Sequence, residues 1–594
     1  MSGVPIVAER SLSPEERRRV IRRTLSMLRP YRRKAIFAIV LVMLQTGAMI
    51  LGPRIIGYGI DNGIRAGDPD AINVAAIAFF VMAVVGYFFG RAGILAVADV
   101  GESFLRDLRR RVFDHLSSLS LGYFEKRRTG VIVSRMTSDV EALQELMSQG
   151  FVMFVINAFL LVGAVIAMVA TSPVLAAVTL VVVPGVAVAT AWFRRESARA
   201  YLDLRDRIGD TLTSLQEGIS GIRVSQAFSQ EPTLIRRFHD TNEAQYASHL
   251  RTIHISARYF PVIELAGVST MGLILLAGGF MVGEDLVTIG TVTAFVLWVN
   301  NLFEPIQQLS QLFNQLQQSA AALTKLYDVL DERPEIDECP GAVDLPDQGT
   351  LEVDNITFGY GRTPVLEDVS LRIEQGRHVA LVGPTGAGKS TLAKLLVRFY
   401  DPGRGTVSFG GTDLRDATIA SLRSRIVVVP QEGYVFNGTI RGNVLIGCPE
   451  ASPDEVDRAV DRLGLRDRID ALPDGLETEV RERGSRLSAG ERQLVSLLRA
   501  AVADPAVIVL DEATSSLDPG TELLIERALQ QLTQGRTVVV IAHRLTTAAR
   551  ADLICVVQDG RISERGTHAE LVARGGNYAA LYASWTKGQQ APAV

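Results

Sequence analysis

The sequence predicts a multidomain membrane protein. A six-helix all-α transmembrane domain with long cytoplasmic helical extensions is followed by an α/β domain of the P-loop type. Three observations predict it. Residues 151–193 contain no Asp, Glu, Lys or Arg, and four further uncharged runs of 18–20 residues occur before residue 304. Beyond residue 348, short β-rich runs alternate with helical ones, as in a parallel sheet with crossover helices. One of those runs leads into Gly383-x-x-x-x-Gly388-Lys389-Ser390. Composition agrees: of 594 residues, 47% are hydrophobic and 21% charged, too apolar for a disordered chain. A net charge of −4 argues against a partner of nucleic acid. Cys339, Cys448 and Cys555 are too few and too scattered for a disulfide framework or a zinc cluster, so reduced cytosolic thiols are expected.

The spans follow in order. A spanning helix needs about 20 apolar residues. Ala35–Pro53 ends at Arg54, and Ala71–Gly90 ends at Arg91. The 151–193 run is long enough for two spans, and Thr171-Ser172-Pro173 supplies the break. Leu265–Gly283 and Leu286–Phe303 form a close pair around Glu284-Asp285. None resembles a cleaved signal peptide.

Basic residues set the orientation. The leader 1–34 carries Arg17, Arg18, Arg19, Arg22, Arg23, Arg29, Arg32, Arg33 and Lys34, and spans two and four are followed by Arg106, Arg109, Arg110 and Arg111 and by Arg194 and Arg195. The alternate loops are poor in base. Both termini are therefore expected in the cytoplasm. About 60 residues separate spans two and three, and about 70 separate spans four and five. Both loops read as helix, so the spans are expected to continue beyond the bilayer as long hairpins. Glu264 and Glu304, beside Pro261 and Pro305, are the nearest ionisable residues to the span interiors; a substrate contact and an interfacial position both remain open.

The expected divisions are a basic leader and elbow helix at 1–34, the six spans at 35–323, a polar linker at 324–348, a nucleotide-binding domain at 349–585 and a tail at 586–594. In the fourth, the strand His378–Val382 runs into Gly383, Pro384, Thr385, Gly386, Ala387, Gly388, Lys389, Ser390 and Thr391, and then into a helix. Strand before and helix after is the context that gives this pattern its meaning. Glycines let backbone N–H groups approach phosphate oxygens at a helix N-terminus. Lys389 would hold the β- and γ-phosphates and Ser390 would face Mg²⁺. A second apolar strand, Val507–Leu510, ends in Asp511-Glu512. Such an Asp is the expected Mg²⁺ partner, and the adjacent carboxylate can polarise water. A third strand, Val538–Ile541, ends near His543, at a sheet edge where ligands bind.

Leu487-Ser488-Ala489-Gly490-Glu491-Arg492-Gln493 then brings the whole order into focus. The chain resembles the ATP-binding cassette (ABC) family, whose signature reads L-S-G-G-Q, and within it the exporter-type half-transporters with fused transmembrane and nucleotide-binding domains. The resemblance covers about residues 15–585. Thr129–Asp139 looks like the family's first cytoplasmic loop, and Thr478–Gly484 fits the stretch that precedes the signature in exporters. It implies an α/β P-loop ATPase domain that binds ATP and Mg²⁺. Tyr360 fits the aromatic that stacks on adenine. Gln431 fits the Q-loop, which senses Mg²⁺ together with Ser390 and Asp511. Ser516-Leu517-Asp518 fits the D-loop. Glu512 would activate water and His543 would position the γ-phosphate. Ser488, Ala489, Gly490 and Glu491 would contact the ATP of a partner chain. The resemblance therefore implies an obligatory dimer.

It further implies short coupling helices near Leu121–Arg128 and Gly221–Glu231, and alternating access in the membrane. The expected activity is ATP-driven export or flipping of a hydrophobic, amphipathic or lipid-like compound, in a bacterial inner membrane. Import on an exporter-like layout, and a non-transporting ATP-gated channel or regulator, stay open. The signature departs from the family at Ala489 and Glu491, where Gly and Gln stand. Ala restricts φ, and Glu can still accept a ribose hydroxyl, so a weakened site is expected. Relatives with altered signatures often pair with a complementary chain, which favours a heterodimer over a homodimer.

Overall fold

The computed structural model describes residues 14–590, apart from 432, 482–483, 485, 512–518 and 543–544. It divides into two compact units. One comprises residues up to Ser117 together with Thr129–Glu332; the other comprises Ser118–Arg128 together with the chain from Arg333 on.

The first unit is helical, and six of its helices are long and apolar enough to cross a membrane. Four run far past what a bilayer needs. Pro69–Ser118 has 50 residues, Val183–Ser220 has 38, Glu231–Gly283 has 53 and Ile289–Asp331 has 43. Fifty helical residues extend about 75 Å, against a hydrocarbon core of about 30 Å. The connections have local causes. Between spans three and four Ser172 leaves the helical region (φ −153°, ψ 104°), its Oγ accepts the Leu175 N–H, and Pro173 starts the next helix. Between spans five and six Asp285 takes φ +56°, and Thr288 Oγ1 accepts the Thr291 N–H to cap Ile289–Asp331. That last helix reaches Asp331, so residues 324–331, read as the start of a polar linker, are helical instead. Leu326 and Val329 are fully buried there, and the charges of Lys325, Asp328 and Asp331 around them mask the helical period.

Spans one and six touch backbone to backbone. A Cβ on Gly290 would stand 2.0 Å from the Gly57 carbonyl oxygen. Asp61 Oδ1 accepts the Gly290 N–H at 2.8 Å, and the buried Trp298 donates Nε1–H to the Ile50 carbonyl at 2.9 Å. Small residues allow this approach, and the polar groups it buries find partners.

Among the described residues the second unit holds three sheets. β1 (Leu351–Phe358), β2 (Leu366–Ile373), β4 (Arg404–Phe409) and β5 (Thr412–Asp413) form an antiparallel sheet in the order β2-β1-β4-β5. The central sheet has the order β12-β11-β3-β10-β9-β6. Its strands are β3 (His378–Val382), β6 (Ile426–Val429), β9 (Val507–Asp511), β10 (Thr537–Ile541), β11 (Leu553–Gln558) and β12 (Arg561–Gly566). All pair in parallel except β12. The small pair β7 (Gly438–Thr439) and β8 (Glu479–Val480) is antiparallel.

Alternation along β9 splits the core. Val507 and Val509 face one apolar cluster and Ile508 and Leu510 the other. Leu392, Leu395 and Leu396 of the helix Lys389–Leu396 belong to the first cluster. Leu494, Leu497 and Leu498 of the helix Ala489–Ala503 belong to the second. The two helices therefore lie on opposite faces of one sheet.

Candidate functional site

Parallel strands place ligand-binding groups outside their carboxyl ends. Here four such ends meet. β3 leads into the glycine loop and β10 into Ala542. β9 ends at Asp511, and β6 leads through Pro430 to Gln431. Ile541 pairs with Leu381 on one side and with Asp511 on the other. Asp511 thus stands two strand spacings, about 10 Å, from the strand that feeds the loop.

The loop has a conformation that side chains resist. Gly383 takes φ +147° and Gly388 φ +105°. A Cβ on Gly383 would lie 2.1 Å from the Val557 carbonyl oxygen, so only glycine fits. Pro384, Thr385 and Gly386 are exposed at the loop tip, and Ala387 and Gly388 are buried beneath it. Lys389, 6% exposed, turns back across the loop and donates Nζ–H to the carbonyls of Gly383 and Pro384, both at 2.9 Å. Burial pushes this ammonium below the ordinary lysine value, and the Asp511 carboxylate opposes that shift. Ser390 is exposed at the first turn of the helix, while Thr391 is buried and its Oγ1 accepts the Tyr360 O–H at 3.3 Å.

Tyr360 presents 41% of its surface. Its ring meets Phe358 and Tyr400 edge-on, both at 5.2 Å. Lys394 Nζ sits 5.5 Å from the Tyr360 centroid and 5.9 Å from that of Tyr400, in cation–π range. This lysine is held by a residue that motif reading does not single out. Glu125, on the short helix Leu121–Lys126, accepts Lys394 N–H bonds at 2.8 and 3.0 Å and the Tyr400 O–H at 2.8 Å. Burial first and then Glu125 push the Tyr400 phenol well above its usual range. The residues expected as a first coupling helix thus contact the ring cluster behind Tyr360. The region of the second contains a helix as well, Ile222–Ala227.

The signature is a helix start. Ser488 is the N-cap of Ala489–Ala503, and its Oγ accepts the Glu491 N–H at 3.2 Å. Glu491 Oε2 accepts the Ser488 N–H at 2.7 Å, which completes a capping box. Oε1 pairs with Arg468 at 2.7 Å. Both oxygens thus have partners inside the chain, and each keeps a second lone pair. Ala489 occupies the first helical position, where its methyl costs nothing and no special φ is needed. Gly490 is buried in the same turn. Gln493, 2% exposed, donates Nε2–H to the Pro430 carbonyl at 3.3 Å and so ties this helix to the residue before Gln431. Glu512, Ser516, Leu517, Asp518 and His543 lie outside the described residues, as do residues 482–483 of the stretch before the signature.

Comparison with known proteins decides the family. A family model described as the ABC transporter transmembrane region matches residues 35–306, and one described as ABC transporter matches residues 366–515. An uncharacterized ABC transporter ATP-binding protein of Bacillus subtilis (strain 168), YknV, is 36% identical over 563 residues, covering 94% of this chain and 93% of that protein. The chain belongs to the ABC transporter family. As an ABC transporter it is an ATP-hydrolysing integral membrane protein that carries one transmembrane region and one nucleotide-binding domain. An ATP-dependent lipid A-core flippase of Syntrophus aciditrophicus (strain SB) is 33% identical over 595 residues, covering 98% of this chain and 97% of that one. Among solved structures, a bacterial Atm1-family ABC exporter with ATP bound superposes with a TM-score of 0.75 at 28% identity, over 95% of this chain and 99% of that one. The ABC exporter fold expected from the sequence is therefore the observed one.

Proposed function

We propose that this ABC transporter works as a dimer and uses ATP to move a hydrophobic, amphipathic or lipid-like compound out of, or across, a bacterial inner membrane. One observation carries the dimer. The glycine loop and the signature Ser488 begin helices on opposite faces of the same sheet. A sheet with its side chains is about 10 Å thick, so Ser488 of one chain serves the glycine loop of another. Each composite site would hold one ATP. Tyr360 would stack on the base and the 383–391 loop would surround the phosphates. Ser488 and Gly490 of the second chain would close over the γ-phosphate. Ser390, Gln431 and Asp511 are hard oxygen donors at one sheet edge, a set suited to Mg²⁺. The ion would neutralise phosphate charge when bound with the nucleotide. Glu512 would take a proton from the attacking water, and His543 would position the γ-phosphate.

Both termini would be cytoplasmic, with the spans in 35–323 and the nucleotide-binding domain in 349–585. Sequence likeness to a flippase and fold likeness to an exporter support outward movement of an amphipath. Ala489 and Glu491 fit a well-capped helix, which suits a working site in a homodimer as well as in the heterodimer that the altered signature favours. Turnover of the purified chain in lipid nanodiscs, alone and as Glu512→Gln, tests this. A dimeric particle whose turnover falls by orders of magnitude in the variant supports the reading. A monomer, or an inactive dimer, would transfer the role to a heterodimer.

A further inference from the structure

Span six carries a polar stripe that neither packing nor lipid explains. Ile289–Leu309 is the least apolar of the six spans, with a mean hydropathy of 1.2 against 2.0–2.7 in the others. Asn300, Glu304 and Gln308 recur at intervals of four and share one side of the helix. Asn300 and Glu304 are exposed and Gln308 is half-buried, while Leu302, Phe303 and Pro305 between them are buried. Glu304 lies 15 residues inside the helix start, about 22 Å along the axis. It is the first charged residue after the uncharged run that ends at Phe303, so its carboxylate sits at the inner end of the span, where an ionisable side chain faces water and not hydrocarbon.

The carboxylate is also held in place. Gln308 Nε2–H donates to Glu304 Oε1 at 2.8 Å. Gln308 Oε1 accepts from Asn157 Nδ2 at 2.8 Å, and that amide, 3% exposed, also donates to the Met153 carbonyl of span three at 2.7 Å. Spans three and six thus fix the orientation of Glu304. Among the described residues no Lys or Arg pairs with it. The same helix, about 12 Å further toward its start, borders an apolar hollow of about 360 Å³ lined by Leu275, Val282, Ile289, Val292 and Val296.

We propose that Glu304, positioned by Gln308 and Asn157, is the binding residue for the positively charged group of an amphipathic substrate, with the apolar body against span six. This rests on the transporter reading above and narrows its substrate class. A preorganised carboxylate without a basic partner attracts an ammonium group and repels a carboxylate or phosphate.

Three probes with one apolar body separate the possibilities: diphenylhexatriene, its trimethylammonium derivative and its propionic acid derivative. Each is titrated against the ATPase activity of the full-length dimer in phosphatidylcholine vesicles, whose zwitterionic surface favours no probe. The cationic probe is expected to stimulate at a roughly tenfold lower concentration than the neutral one, the effect of one charge-assisted contact. The anionic probe is expected to be weakest. Glu304→Gln should remove the cation's advantage while the neutral probe still stimulates, which also reports a folded transporter, and Glu304→Asp should restore part of it. Equal response to cation and neutral probe in the native protein, or an advantage that survives Glu304→Gln, overturns the inference but leaves the transporter reading intact. If no probe stimulates turnover or is moved by ATP, both fall.

Discussion

Replacing Glu125 should separate ATP hydrolysis from transport. Its carboxylate receives two N–H bonds from Lys394 and one O–H bond from Tyr400, all between 2.8 and 3.0 Å. The Lys394 and Glu125 side chains are 30% and 35% exposed, so solvent screens part of the attraction. A charge-assisted hydrogen bond contributes about 1.5–3 kcal/mol when well shielded. With that discount the set holds the helix Leu121–Lys126 to the nucleotide-binding domain by about 2 kcal/mol. Glu125→Ala forfeits all of it, and Glu125→Gln keeps an acceptor for Tyr400 and forfeits about half. One to two kcal/mol corresponds to a factor of roughly 5–30. Neither variant touches the glycine loop. Basal ATPase should therefore stay within about twofold, while ATP-driven movement of a fluorescent amphipath per ATP consumed should fall roughly fivefold in Glu125→Gln and thirtyfold in Glu125→Ala. A double-mutant cycle with Lys394→Met should show non-additivity, because the second change finds its partner already gone. Unchanged coupling in Glu125→Ala would refute the reasoning, as would loss of basal turnover along with transport.

Two further outcomes follow from the nucleotide-binding domain. Glu491→Ala removes both the reciprocal cap on Ser488 and the partner of Arg468, so it should lower thermal stability by about 1 kcal/mol and slow turnover. Differential scanning calorimetry and an ATPase assay check this, and Glu491→Gln should retain the cap and recover most of both. Cys555 is fully buried on β11, and burial pushes its thiol up to about 12, so at neutral pH it carries its proton in the folded state. A maleimide at pH 7.5 should label Cys339 and Cys448, which are half-buried, and reach Cys555 only after unfolding; rapid labelling of Cys555 by mass spectrometry would contradict the packing of the central sheet.

What the sequence made legible was what depends on local runs. Uncharged stretches located six spans because charge is costly in hydrocarbon wherever it occurs. The break at Ser172-Pro173 and the strand–loop–helix of the P-loop were readable for the same reason: their causes sit within a few residues. What stayed hidden depends on distant partners. Glu125 meets Lys394 across 269 positions, and nothing in either neighbourhood announces the pairing. The approach of Gly57 to Gly290 and the hydrogen bond from Trp298 to Ile50 are likewise set by tertiary packing. Glu491 is a third kind of case. Its cap role was present locally, as a Ser followed three residues later by Glu at a helix start, and stands beside the ribose contact that comparison with the family's Gln implies. The end of the span-six helix at Asp331 was hidden because buried Leu326 and Val329 are interspersed with charge, so the segment's composition resembled a linker while its period was helical. The opposite placement of P-loop helix and signature helix required knowing which side of β9 each residue faces.

The most direct test of the account is ATP-driven movement of a diphenylhexatriene amphipath in sealed proteoliposomes, with Lys389→Ala as the comparison. Lys389 holds the loop on which the whole reading turns. The account predicts time-dependent accumulation on the side opposite the nucleotide, abolished in Lys389→Ala together with nucleotide binding. Accumulation that persists in Lys389→Ala, or that proceeds equally without ATP, would contradict the claim that this site drives transport.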